Sequence, residues 1–159
     1  MSPALLHLAR RFFGVLVAAP LRPGEQAAAG ALLRPAERGL FWGQPAADQR
    51  HGLECARAVQ AACPGRRDLA RAALLHDLGK RQAGLGAVGR SIATALAAAR
   101  LPVPGRFAAY REHGPLGATE LEAAGAEPLV AAFARHHHGE RPAGIAAEDW
   151  DALRRADHA

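Results

Sequence analysis

Histidine and aspartate side chains recur in this sequence at positions where short helical segments begin or end. The set comprises His51, His76, Asp77, His113, the neighbours His136 and His137, and Asp157. Neutral imidazoles and carboxylates are typical ligands of iron, manganese, cobalt, nickel or zinc, whereas calcium and magnesium prefer oxygen. With one of the two neighbours counted, six ligands exceed the four of a tetrahedral zinc site, so the set indicates two ions.

Asp77 is the candidate bridge between two such ions. Neighbouring residues of a helix point about 100° apart, so His76 and Asp77 cannot chelate one ion side by side. A carboxylate that bridges two ions, while its neighbour binds only one of them, satisfies this constraint.

Lys80 is the only lysine of the chain, and the other 19 basic residues are arginines. Its position three residues after Asp77 indicates a contact with a phosphate group. Three further cations near the same positions could hold phosphate oxygens or lie in solvent, namely Arg81, Arg111 and Arg141.

The elements that must position these side chains are helices. The chain contains 40 alanines and 5% aromatic residues, and no stretch alternates as a strand would, so we predict an all-α fold. Helix start and stop signals predict helices over about residues 3–19, 24–40 with an interruption near Pro35, 48–63 with Asp48 as N-cap, 68–78 with Gly79 as C-cap, 90–100, 115–125, 128–139 and from 148 onward. The glycines within residues 81–89 predict a loop.

The run His76-Asp77-Leu78-Gly79-Lys80, with a histidine upstream and an aspartate downstream, resembles the signature of the HD-domain superfamily of metal-dependent phosphohydrolases. Two further runs resemble motifs of the members that hold two metals, namely His113-Gly114-Pro115-Leu116-Gly117-Ala118 and Ala132-Phe133-Ala134-Arg135-His136. The chain is similar to the HD-type diadenosine tetraphosphate hydrolases of bacteria. This resemblance covers about residue 49 to the end.

The resemblance implies metal ligands at His51, His76, Asp77, His113, His136 and Asp157. His137 is an alternative to His136 within the histidine triplet, and we expect His138 to face solvent. The fold implied is an HD-like bundle of about seven to eight helices in one domain, 1–159. Its N-terminal helices, within residues 1–47, would pack on a metal-binding core formed by residues 48–159.

The implied activity is cleavage of a nucleotide or another small phosphate ester by a metal-bound hydroxide. Asp77 would bridge the ions, Lys80 would neutralise developing charge, and His137 could act as general acid. Two alternatives stay open at this point. A mixed-valent di-iron oxygenase of the HD type resembles the same His-Asp-Xaa-Gly-Lys run, and a non-catalytic HD-like signalling module would keep only the helical core.

Composition restricts the partners and the compartment. The net charge of +5 comes from arginines spread along the chain among few aromatics, which favours a small phosphate substrate over a nucleic acid. The apolar run after Arg10-Arg11, about ten residues long, is too short to span a bilayer and predicts a helix packed on the domain. Cys55 and Cys63 lie about 12 Å apart on one predicted helix, so we expect free thiols and a cytoplasmic location.

Overall fold

Helices form the secondary structure of the computed structural model, which describes residues 19–98 and 104–158. No strand occurs in these two ranges, which confirms the predicted all-α class. In chain order the helices are α1 (Pro23–Leu32), α2 (Pro35–Trp42), α3 (Ala46–Ala62), α4 (Arg67–Leu75), α5 (Lys80–Ala83), α6 (Ala87–Ala98), α7 (Arg106–Arg111), α8 (His113–Ala123), α9 (Pro128–His136) and α10 (Ala147–Asp157).

Local sequence signals explain where several helices begin. Proline occupies the first position of α1, α2 and α9, where its missing N–H costs no helical hydrogen bond. At the start of α2, Glu37 Oε2 accepts a hydrogen bond of 2.9 Å from the backbone N–H of Arg34. These signals separate α1 from α2 near Pro35, as the sequence predicts.

Helix α4 lies at the centre of the bundle. It packs against α1, α3, α9 and α10, while α8 packs on α9, and α5 packs on both α7 and α8. Every residue from 71 to 80 is buried, which covers the second half of α4, the following turn and the first residue of α5. His76, Asp77 and Lys80 belong to this segment, so the residues able to do chemistry lie in the interior.

One large core joins the N-terminal helices to the rest of the described chain. Leu32 and Phe41 from α1 and α2 belong to the same buried cluster as Leu74 of α4 and Leu153 of α10. Leucine and alanine fill most of this cluster, which suits closely packed helices. The first predicted helix, over residues 3–19, lies almost entirely outside the described residues.

The start of α3 corrects one prediction. The helix begins at Ala46 after Pro45, so Asp48 lies within its first turn and is not the N-cap. Its carboxylate instead accepts two hydrogen bonds from the guanidinium of Arg90 on α6, one of them 2.7 Å long. Both side chains are buried, and a buried carboxylate requires such a paired cation.

The structure of the region after α4 corrects two further predictions. Gly79 has φ −67°, so it does not cap α4 in the left-handed conformation; α4 ends at Leu75 and Gly79 precedes α5. Residues 81–89 include the end of α5 and the start of α6, separated by Gly84 with φ +56°. The short helix α7 was not predicted. The break between the two helices covers residues 84–86, where Gly84 has a positive φ that favours glycine, whereas Gly89 lies within α6.

Two smaller expectations concern the thiols and the membrane. Cys55 is buried, Cys63 is partly buried, and both are free. Across residues 19–98 and 104–158, no helix has the length and apolar character needed to cross a bilayer.

Candidate metal centre

Imidazoles and carboxylates from α3, α10 and the end of α4 meet at one point. His51 Nε2 lies 3.4 Å from Asp157 Oδ1 and 3.7 Å from Asp77 Oδ2. His76 Nε2 lies 3.1 Å from Asp157 Oδ1 and 3.5 Å from Asp77 Oδ2. We call His51, His76 and Asp157, gathered near Asp77 Oδ2, the first group.

A second group faces the other oxygen of Asp77. His113 Nε2 lies 3.2 Å from the Nε2 atoms of both His137 and His138. Asp77 Oδ1 lies 3.2 Å from His113 Nε2 and 3.5 Å from His137 Nε2. The three histidines of this second group come from the start of α8 and from the residues that follow α9.

Backbone carbonyls fix the rings of three of these histidines in the same way. His76, His113 and His137 each have Nδ1 within hydrogen-bond distance of the carbonyl oxygen three residues earlier. The acceptors are Ala73 O at 2.8 Å, Tyr110 O at 2.7 Å and Ala134 O at 2.8 Å. A proton on Nδ1 satisfies each carbonyl, so a neutral ring presents the lone pair of Nε2 to the cluster.

The cluster therefore contains more hydrogen-bond acceptors than donors. Asp77 Oδ1 is buried and has no hydrogen-bond partner among the described residues, and the lone pairs of His113 and His137 converge on it. Such an arrangement is repulsive unless a cation lies between the atoms. Ligands at about 2.1 Å from one ion lie about 3.0 Å apart in octahedral and about 3.4 Å apart in tetrahedral geometry. The separations given above match these values, so the residues fit a divalent transition metal.

Close contacts between helix backbones bring these short side chains together. A Cβ atom at Gly79 would lie 2.0 Å from the carbonyl oxygen of His113, and one at Gly117 would lie 2.7 Å from Gly79 N. A Cβ atom at Gly52 would lie 2.4 Å from Leu74 O. Any larger residue would push α3 from α4, or α5 from α8, and would separate the side chains that flank these glycines.

Electrostatic interactions within the cluster oppose the effect of burial. Burial disfavours the charged form of His76, but the carboxylates of Asp77 and Asp157 raise its pKa above the ordinary value. Burial also disfavours the ionised form of Asp77, but His76 and Lys80 hold its pKa well below the ordinary value. Asp157 behaves likewise, because its interactions with His51 and His76 outweigh burial and lower its pKa. Both carboxylates are therefore ionised at neutral pH.

Lys80 lies inside the cluster and not beside it. Its ammonium group contacts Asp77 Oδ2, and the side chain is 8% exposed. Burial disfavours its charged form, but Asp77 and the neighbouring Tyr110 raise its pKa. The predicted phosphate-binding lysine is thus held by Asp77 in this structure.

Solvent reaches the centre from the His51 and His138 sides. The side chain of His51 is 35% exposed and His138 is exposed, whereas the side chains of His76 and His137 are each 1% exposed. The two groups thus have a buried floor and an open rim.

The structure brings together His51, His76, Asp77, His113 and Asp157 from the predicted ligand set. It also brings in His137, whereas His136, which we predicted as the ligand, is the last residue of α9 and belongs to none of the groups of possible metal ligands found among the described residues. The helix ends at His136, and the two residues that follow it, His137 and His138, place their rings beside His113. The inward position of His137 Nε2 favours a ligand role; its role as general acid stays a prediction.

Sequence reasoning missed two residues of the centre. His138 is exposed, as expected, but its Nε2 also lies 3.2 Å from His113 Nε2, and partial desolvation together with the neighbouring His137 and His113 lowers its pKa to about 3. Cys55 was predicted only as a buried thiol, but its Sγ lies 3.7 Å from His51 Nε2. The spacing of four residues between His51 and Cys55 on one helix was a signal for this contact.

The arginines near the motif positions have other partners or lie in solvent. Arg81 donates a hydrogen bond of 2.6 Å to Glu120, and Arg141 donates one of 2.6 Å to the carbonyl oxygen of Ile145. Arg111 is exposed. Lys80 is therefore the predicted phosphate contact that lies within the centre.

Neither protein-family models, nor curated proteins, nor solved structures gave a match to this chain. The likeness to the HD domain consequently depends on the motif residues themselves. The structure adds that histidine, aspartate and cysteine side chains form groups able to hold a metal ion, namely His113 with His137 and His138, His51 with His76 and Asp77, and His51 with Cys55 and Asp157.

Proposed function

We propose that this protein is a metal-dependent phosphohydrolase that cleaves a small phosphate ester, with a nucleotide as the favoured substrate class, at a centre of two divalent transition metals. The ligands of one ion would be His51, His76 and Asp157, and those of the other His113, His137 and His138. Asp77 would bind both ions.

The observation that carries this proposal is the position of the Asp77 carboxylate. Oδ2 faces the first group and Oδ1 faces the second, with nitrogen–oxygen separations between 3.2 and 3.7 Å. One carboxylate between two sets of imidazoles is the arrangement that a bridging ligand requires. A site for a single ion would have no use for the second set of converging lone pairs.

A bound pair of divalent ions supplies two things to phosphate ester hydrolysis, a water made nucleophilic near neutral pH and positive charge beside the phosphate oxygens. Residues of the chain would hold the metal ligands in fixed orientations. The Nδ1 contacts of His76, His113 and His137 hold three rings in fixed orientations. Burial of the floor of the centre excludes bulk water from one side, so the substrate and the attacking water share the open rim.

Lys80 supports a phosphate substrate. Its ammonium already lies on Asp77, so it provides positive charge next to the carboxylate that the ions would share. In phosphoryl transfer most of the catalysis comes from positioning and from neutralising charge on the phosphate oxygens. We expect Lys80 to stabilise those oxygens in the transition state. Its removal should lower kcat more than it raises KM.

A metal-supplemented substrate screen tests the proposal. Purified protein is loaded with manganese, iron, cobalt or zinc and incubated with nucleotides, dinucleoside polyphosphates and cyclic dinucleotides, and release of phosphate or nucleotide is followed. We expect one of these classes to be hydrolysed by the parent protein and not by the His113→Ala variant. A parallel measurement of oxygen uptake by the iron-loaded protein distinguishes a di-iron oxygenase. Oxygen uptake without phosphate release, or no transition metal bound, would overturn the proposal.

A further inference from the structure

His138 differs in exposure from the other two imidazoles of the second group. The residue is exposed, whereas His113 is 4% exposed and His137 is 1% exposed. All three Nε2 atoms nonetheless converge, because His113 Nε2 lies 3.2 Å from the Nε2 atoms of both His137 and His138. The second group therefore has two buried imidazoles and one at the open rim.

The three rings also differ in how they are held. Nδ1 of His113 and Nδ1 of His137 each contact a backbone carbonyl oxygen, at 2.7 and 2.8 Å. Within residues 19–98 and 104–158, the ring nitrogens of His138 have one hydrogen-bond contact, which is with His113 Nε2. Since no backbone group of these residues fixes the exposed ring of His138, it can rotate about its side-chain bonds.

The backbone at His138 is a turn that follows α9. The helix ends at His136, and the N–H of Gly139 donates a hydrogen bond of 2.6 Å to the carbonyl oxygen of His136. His137 and His138 occupy the two central positions of this turn. Rotation of the His138 side chain therefore leaves the backbone hydrogen bond and the buried ring of His137 in place.

The other atoms of the second group already provide three ligands for one ion. Asp77 Oδ1, His113 Nε2 and His137 Nε2 form a triangle with sides of 3.2, 3.2 and 3.5 Å. Catalytic metal sites keep one position free for water or substrate, whereas four protein ligands close a tetrahedral site. A permanently bound His138 would be the fourth ligand, and it would leave no such position for a substrate.

We propose that His138 is an exchangeable ligand of the second ion. It binds the ion when no substrate is present, and it turns outward when a phosphate oxygen of the substrate takes its position. This inference rests on the proposed function, because it assigns a further role within the same metal centre. The exchange breaks one nitrogen–metal bond and forms one oxygen–metal bond, and it transfers no proton or electron.

An exchangeable ligand links two affinities that can be measured separately. While His138 binds the ion, it strengthens metal binding, and by the same factor it lowers the fraction of the protein that is open to phosphate. Removing the imidazole should therefore weaken metal binding and strengthen phosphate binding by equal factors. A ligand with a purely structural role would not produce this reciprocal change.

Isothermal titration of the parent protein and of His138→Ala measures both affinities, first with cobalt and then with inorganic phosphate added to the cobalt-loaded proteins. We expect the variant to bind cobalt about tenfold more weakly and phosphate about tenfold more tightly. Because His138 is exposed, the metal-free variant should unfold at the same urea concentration as the parent protein. His136→Ala is the matched control and should change neither affinity, since His136 belongs to none of the groups of possible ligands.

Two results would overturn the inference and leave the proposed function standing. Equal cobalt affinity of the parent protein and His138→Ala would show that His138 is not a ligand. Weaker cobalt binding by the variant, with phosphate binding unchanged or weaker, would show that His138 is not displaced by phosphate. If the parent protein binds no transition metal, the metal centre of the proposed function fails, and this inference fails with it.

Discussion

Two polar clusters reach into this helical bundle, and they differ in how their charges are balanced; in the first, Glu37 and Arg71 are buried while Arg34 and Glu127 are partly exposed. In the first, Arg71 of α4 contacts Glu127, which also pairs with Arg34, and Arg71 Nε lies 3.7 Å from Glu37. Two guanidinium groups thus face two carboxylates. We call these four residues the arginine–glutamate cluster.

The metal centre has the opposite character. Five imidazoles and the two carboxylates of Asp77 and Asp157 converge, and Lys80 is the cation that the described chain places among them. The arginine–glutamate cluster supplies its own countercharges, so it needs no ligand and can act purely as a structural contact between helices. The candidate metal centre has one such countercharge, Lys80, for its two carboxylates. An excess of imidazole and carboxylate acceptors over cations, and not buried polarity as such, therefore distinguishes the candidate metal centre from the arginine–glutamate cluster.

The largest expected effect is on catalysis and comes from removing the shared carboxylate. Asp77→Asn should lower kcat/KM for the hydrolysed substrate by at least about a thousandfold, equivalent to about 4 kcal/mol of transition-state stabilisation. It should also lower the number of bound ions, because neither group keeps its charged oxygen. Metal analysis and steady-state kinetics measure the two changes.

The Asp77 variant needs two controls. Asp151→Asn removes an exposed carboxylate from α10 and should leave both readouts unchanged. Because Asp77→Asn leaves the buried ammonium of Lys80 without its carboxylate, the double variant with Lys80→Met removes both charges and separates misfolding from loss of metal. Parent-like metal content in Asp77→Asn would refute the bridging role.

The next largest effect tests the arginine–glutamate cluster. Arg71→Met leaves the fully buried Glu37 without a guanidinium, and we expect the free energy of unfolding to fall by about 3 kcal/mol. Metal content should not change. Urea denaturation measures the loss, and Arg66→Met is the matched control, since Arg66 pairs with Asp68 and Asp149 at the surface. That control should lose less than about 1 kcal/mol. Loss of bound metal in Arg71→Met would break the distinction between the two clusters.

A somewhat smaller effect follows from adding or removing the ions. A transition metal at a hundred times its dissociation constant should stabilise the folded protein by about 2.7 kcal/mol, and a chelator should reverse this gain. The gain should shrink as the pH falls through the pKa of His76, which the neighbouring carboxylates raise above its ordinary value of about 6.5, because protons then compete with the ion for this ligand. Thermal unfolding at several pH values measures both. A melting temperature independent of metal would indicate that the converging acceptors do not bind an ion.

The smallest effect distinguishes two neighbours. His137→Ala should weaken metal binding at least about tenfold, equivalent to about 1.4 kcal/mol, because its Nε2 lies in the second group. His136→Ala, the matched variant one position earlier, should bind metal like the parent protein. Isothermal titration with cobalt compares them. The reverse result would show that the ligand is His136, as the sequence alone predicted.

Fold class and approximate helix positions could be predicted from the sequence because their causes are local. Prolines at helix starts and the abundance of alanine act within a few residues. The errors came from long-range pairing. Aspartate commonly caps the N-terminus of a helix, but the carboxylate of Asp48 accepts a hydrogen bond from the guanidinium of Arg90, 42 positions later. Glycine commonly caps the C-terminus of a helix, but at Gly79 the missing side chain lets the backbone of His113 approach closely.

Most residues of the candidate centre could be named from the sequence, because the spaced runs of histidine and aspartate resemble the HD-domain signature. The sequence could not decide which of His136, His137 and His138 are ligands. That choice depends on where α9 ends and on how α8 approaches it, since a shift of one residue turns a side chain by about 100°. Cys55 was overlooked although its contact with His51 is local, because the two residues lie four positions apart on the same helix.

By itself the sequence determined that the chain is helical and which residue types are available for metal chemistry, because helix propensity and ligand preference are properties of single residues. Only the tertiary structure decided that these side chains converge, that one carboxylate faces two sets of imidazoles, and that the four arginine–glutamate residues balance one another. Those outcomes depend on distances of a few ångströms between helices far apart in the chain, and such distances are set by packing.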